Sequence, residues 1–120
     1  MTIYQDIILD HYRSPRNKKR LGQKAKTIHV ANPFCGDVID MDIIVNRGIV
    51  VQIGFAGDGC AISQASASML TDYVAHKSIK ELRNFDKNAM IELLGIELTP
   101  TRLKCGLLAW EAFQKLIHTI

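Results

Sequence analysis

Paired cysteines are missing from this chain. It has three, Cys35, Cys60 and Cys105, far apart and in no CxxC pair. An odd number excludes a closed disulfide framework and leaves free thiols or ligands. Long apolar runs are also missing: none approaches the ~20 residues of a membrane span. The opening MTIYQDIILD has no basic region and no small-residue cleavage site, so a cytoplasmic protein with no membrane partner is expected. Aromatics are only 7% of the residues, and none follows Tyr12 among the nearby bases, which argues against a nucleic-acid partner. Acids are absent from Arg13 to Lys26, where seven bases stand together. The remainder holds eight bases against twelve acids, so the net +3 is one cationic segment on a mildly acidic body. That segment reads either as a solvated loop or as a surface for an acidic partner protein.

What is present suits a globular domain. The 120 residues are 48% hydrophobic, enough for one core, and the expected domain is 1–120. Tyr4 to Tyr12 has helical spacing, with Tyr4, Ile7, Ile8 and His11 on one stripe, and Pro15 ends it. The period then changes to two. Thr27–Val30 reads as a first strand. Val38 to Val45 places Ile39, Met41, Ile43 and Val45 on one face and Asp40 and Asp42 on a wetter one. Asn46-Arg47-Gly48 is turn chemistry, and Ile49, Val51, Ile53 and Phe55 resume the alternation. Helices follow from Ala61 to His76, after the capping pattern at Ser78, and from Asp86 to Leu94. A last one begins at Thr99-Pro100. Strands and helices are segregated. The predicted class is α+β, a three-stranded antiparallel sheet with helices packed on one face.

Each cysteine touches a glycine: Cys35–Gly36, Gly59–Cys60 and Cys105–Gly106. Glycine allows close backbone approach, which a metal centre uses and a buried thiol does not need. Cys35 lies in a turn before a strand, with Asp37 two residues on. Cys60 lies between a strand and a helix, and Cys105 early in the last helix. All three could meet at one end of the sheet. Three thiolates and the Asp37 carboxylate are the four donors a tetrahedral ion takes, and thiolates select zinc or iron–sulfur clusters. A permanent structural zinc would be better held by four cysteines or by a mixture of cysteine and histidine. The harder carboxylate suggests a site whose occupant can leave. Arg102 and Lys104 could offset the excess negative charge. Asp58, beside Cys60, is expected to cap the following helix.

Three motifs in order, NPFCGD, GDGCAISQASASML and LTPTRLKC, resemble the iron–sulfur assembly proteins of the IscU/SufU/NifU N-terminal type. IYQDIILDHYRSPRN looks like that family's opening helix and loop, so the resemblance spans nearly the whole chain. It implies a compact α+β domain in which Cys35, Asp37, Cys60 and Cys105 hold a transient [2Fe–2S] cluster, or Zn2+ in its absence. It implies a pyridoxal-phosphate cysteine desulfurase as sulfur donor and apo iron–sulfur proteins as recipients. Two branches remain open. Lys104 stands where the IscU branch has histidine, and SASML is worded as in the SufU branch. Yet Thr71 to Leu98 is too short for the segment that the SufU branch inserts. The family's LPPVK chaperone motif appears as Leu98-Thr99-Pro100-Thr101-Arg102, one proline short, which weakens the case for an Hsp70-type partner.

The expected function is therefore a scaffold that builds and releases a cluster. The alternative is a zinc-dependent sulfurtransferase, in which Cys35, on the turn expected to be most exposed, accepts persulfide sulfur.

Overall fold

The computed structural model describes residues 3–33 and 36–120. The elements run α1 (Ile3–Arg13), β1 (Lys26–Ala31), β2 (Val38–Asn46), β3 (Ile49–Asp58), α2 (Ala61–Val74), α3 (Ile79–Leu82), α4 (Lys87–Leu94) and α5 (Pro100–His118). The three strands form one antiparallel sheet in the order β1-β2-β3. This is the α+β architecture expected from the segregated pattern.

Local signals explain the boundaries. Asn46 pairs with Ile49, so Arg47 and Gly48 form a two-residue hairpin loop, both at positive φ. That is the turn whose twist matches antiparallel strands. Ser78, Asp86 and Thr99 each accept a backbone hydrogen bond at the start of α3, α4 and α5. Pro100 occupies the first turn of α5, where its missing N–H costs nothing.

One face of the sheet carries Ile39, Met41, Ile43, Val50, Ile53 and Phe55, all buried against the helices. The expected alternation fails at the start of β3. A register shift at Ile44/Val45 pairs Val45 with Val50. Val50, not Ile49 or Val51, therefore enters the core, because an extra residue in one strand reverses the phase of the side chains. The stripe on α1 is also less buried than its spacing predicts: Ile8 is covered, but Tyr4 and Ile7 are exposed.

The opposite face is not simply wet. The cationic segment lies across it and is tied down. The Asn17 carbonyl accepts from the Phe55 N–H, and Arg20 forms two hydrogen bonds with Asp42, at 2.8 and 3.1 Å. A side chain at position 54 would collide with the Lys19 carbonyl, so Gly54 is what lets this strap close. Asp42, expected on the wetter face, is 1% exposed beneath it.

Helix α2 is the most enclosed helix of the domain. It packs against α1, α5 and β3, and its polar residues Ser63, Gln64, Ser66, Ser68 and Thr71 are buried with its apolar ones. Small side chains permit that close approach on several sides at once. Ser68 meets His11 at 2.7 Å and accepts from the Arg16 N–H, which docks α1 and the strap.

Candidate metal centre

Three separate elements converge at one end of the sheet. Asp37 precedes β2, Cys60 is the N-cap residue of α2, and Cys105 lies in the second turn of α5. Their donor atoms all lie within 4.8 Å of one another. Asp37 and Cys105 are buried, and Cys60 is half-buried, so the group is reachable from one side. Cys35 lies outside the described residues.

Backbone hydrogen bonds hold Asp37 at this end of the sheet. The Asn32 N–H donates to the Asp37 carbonyl at 2.8 Å, and the Gly36 N–H to the Asn32 carbonyl at 2.9 Å. Gly36 has φ +73°, a left-handed conformation that glycine adopts without strain. The loop thus closes on itself and re-enters the sheet where Val38 pairs with Ala31.

Asp37 then reaches across to α2. Its Oδ1 accepts from the Cys60 N–H at 3.2 Å, and its Oδ2 lies 3.6 Å from the Cys60 Sγ. Cys60 provides no side-chain cap for α2, and the carboxylate from the start of β2 sits at that helix end instead. The end of a helix with free N–H groups favours negative charge. Gly59 makes the approach possible: a Cβ there would come within 2.9 Å of the Asp37 carboxylate and would also strike Ser63 Oγ. Gly106 plays a similar part in α5, where an added Cβ would press at 3.1 Å on Leu94 and Leu98.

The donor set fits a thiophilic ion or cluster. Two thiols and a carboxylate within one small volume would repel one another once ionised, and a bound cation reverses that balance. Sulfur donors select zinc or iron–sulfur centres over magnesium or calcium.

Other sequence expectations divide. Arg102 and Lys104 are exposed on α5 beside Cys105, where they can meet the charge of the site. Lys104 also borders a cleft of about 220 Å3 shared with Asn32, Pro33 and Glu111. Asp58 does not cap α2. It is exposed, and its carboxylate accepts only from the neighbouring Gly59 N–H among the described contacts. Asn32 and Ser63 were not foreseen. Asn32 shapes the Asp37 loop, and Ser63 donates to the Cys60 carbonyl at 3.1 Å. The adjacent proline at 33 was the one available signal for Asn32.

Fold and site together define an α+β domain that gathers two thiols and a carboxylate at one end of its sheet, a group that could hold a metal ion. The chain belongs to the NifU-like N terminal domain family, which it matches over residues 3–119. It is 34% identical to the zinc-dependent sulfurtransferase SufU of Bacillus subtilis, over 95% of this chain and 88% of that protein. It is 33% identical to the iron-sulfur cluster assembly scaffold protein IscU of Escherichia coli, over 95% and 91%. A crystal structure of a NifU-like N-terminal domain from Brucella abortus shares the fold, with TM-score 0.78, 21% identity and coverage of 98% and 94%. Among the described residues no helix is long and apolar enough to cross a membrane.

Proposed function

We propose that this protein is a cytoplasmic iron–sulfur cluster scaffold. Cys35, Asp37, Cys60 and Cys105 hold a transient [2Fe–2S] cluster, or zinc when no cluster is present. The observation that carries this reading is the convergence of Asp37, Cys60 and Cys105 donor atoms within 4.8 Å. Cys35, two residues before Asp37 in the chain, supplies the fourth donor. Sulfur comes from a pyridoxal-phosphate cysteine desulfurase, and apo iron–sulfur proteins receive the cluster. Asp37, the single oxygen donor, is the weak point through which cargo leaves.

The exposed bases Arg13, Lys18, Lys19 and Lys24 form the docking surface for the desulfurase. Arg20 is set apart from these, because it is spent on Asp42. Reversing Lys18 and Lys19 should weaken desulfurase binding and flatten its salt dependence. Reversing Arg20 would instead damage the fold.

A second reading is favoured by Lys104 and by the likeness to the zinc-dependent sulfurtransferase. Here zinc is bound by the same four residues. On docking, the Cys35 thiolate leaves the zinc, which the other three residues retain, and attacks the outer sulfur of the desulfurase persulfide. A new S–S bond forms at Cys35, the old one breaks, and the desulfurase cysteine leaves as a thiolate with no net oxidation.

One anaerobic experiment separates the two. The zinc-loaded protein is mixed with its desulfurase, cysteine and Fe2+, and then with an apo-ferredoxin. A visible chromophore that forms and moves to the ferredoxin supports the scaffold. A faster desulfurase with zinc retained and no chromophore supports the sulfurtransferase.

A further inference from the structure

Gln64 is 5% exposed, and both polar atoms of its carboxamide, Oε1 and Nε2, are sealed from solvent without a hydrogen-bond partner among the described residues. Burying such a group is unfavourable if nothing ever meets it. On the same helix Ser63 donates to the Cys60 carbonyl and Ser68 is engaged by His11 and Arg16, whereas the buried Ser66 hydroxyl, like the Gln64 carboxamide, has no partner among the described residues.

The position of Gln64 relates it to Cys60. Its N–H donates to the Cys60 carbonyl at 3.1 Å, one turn back. Residues four apart lie on one helix face, and helical side chains lean toward the N-terminus. Position 64 therefore lies one turn along α2 from the N-cap Cys60, on the face that continues to Ser68.

We propose that Gln64 is a positioning residue for the loaded site. Resting on the metal-site reading above, it supplies an N–H donor to the Cys60 thiolate, or to sulfide of the cargo, once the centre is filled. A donor aimed at metal-bound sulfur withdraws charge from it and holds it in place. Before loading, the same amide has no partner among the described residues, so the fold carries a cost that loading relieves.

The test compares wild type with Gln64→Met and Gln64→Leu, apolar replacements of similar volume. Zinc affinity is read by chelator competition and Tm is measured with and without zinc. The side-chain amide of Gln64 is followed by nitrogen-15 NMR in the wild type, which needs no variant to fold beyond one spectrum for assignment. The expected result has opposite signs in the two states. The metal-free variants melt higher than wild type, zinc binds about 10-fold more weakly, and the wild-type amide resonance shifts on loading. If both states melt higher by the same amount, with zinc affinity within about twofold and the amide resonance unmoved, the carboxamide is an unpaired core group and the proposal falls. If wild type takes up no zinc and no cluster, while Asp37→Ala behaves identically, the metal-site reading itself falls and takes this one with it.

Discussion

Asp37 and Asp42 lie five positions apart on the same stretch of chain and are 3% and 1% exposed. Their surroundings are opposite. Asp42 sits under the strap and is saturated: Arg20, the Thr27 hydroxyl and the Leu21 N–H all donate to it. Asp37 sits among thiols at the sheet end, with the Cys60 N–H at one oxygen and the Cys60 sulfur near the other. One carboxylate is used up in holding the fold, and the other lies in a group of donors that could hold a metal. Burial alone does not distinguish a structural acid from a ligand. The chemistry of the donors around it does.

The comparison can be broken most severely at Asp42. Asp42→Ala leaves the strap without its anchor and should cost about 3 kcal/mol in chemical denaturation, with zinc stoichiometry retained by the folded fraction. Gly54→Ala attacks the same strap from the sheet side. Its Cβ meets the Lys19 carbonyl, and a loss of about 2 kcal/mol is expected. Asp37→Ala should behave in the opposite way. Stability of the metal-free protein should change by about 1 kcal/mol or less, while release of bound cargo slows severalfold in a transfer assay. Unchanged release would remove the idea that Asp37 is the exit.

Acid sharpens the contrast further. Burial pushes the Asp42 carboxyl up, but the hydrogen bonds from Arg20, Thr27 and Leu21 outweigh it and hold the group below its ordinary value. A depressed carboxyl stabilises the fold above its unfolded pKa, and that contribution is lost as pH falls through the lower folded value. Asp42→Asn should therefore flatten the acid limb of a stability–pH curve. A smaller effect is expected at His11. Burial, and then the charge of Arg16, push this imidazole below its usual 6.5. The fold favours the neutral ring, so stability is complete above about 6.5 and declines as pH drops through the folded value. His11→Gln should remove that decline. Smallest of all is the exposed His29–Asp40 contact at 2.5 Å. His29→Gln should shift stability by ~0.5 kcal/mol or less.

Much of the site was legible because its signals are local. A cysteine beside a glycine, an acid two residues from Cys35, and a glycine turn between a strand and a helix can be read without a fold. The strap was not legible. Seven bases without an acid look solvated. Only the paired strands show that Thr27 stands opposite Asp42, with Gly54 on its other side, making a niche that Arg20 fills. Gln64 was hidden for the same reason. A polar residue in a serine-rich helix invites a surface assignment, and α2 is instead enclosed by α1, α5 and the sheet.

The sequence by itself determined the class of fold and the element order, and it marked the candidate donors, because periodicity, caps and turn residues act over a few positions. The tertiary structure decided which donors meet, which acid is consumed internally and which polar side chain is left waiting. Those outcomes depend on contacts between residues remote in the chain, and sheet register and helix packing alone bring such residues together.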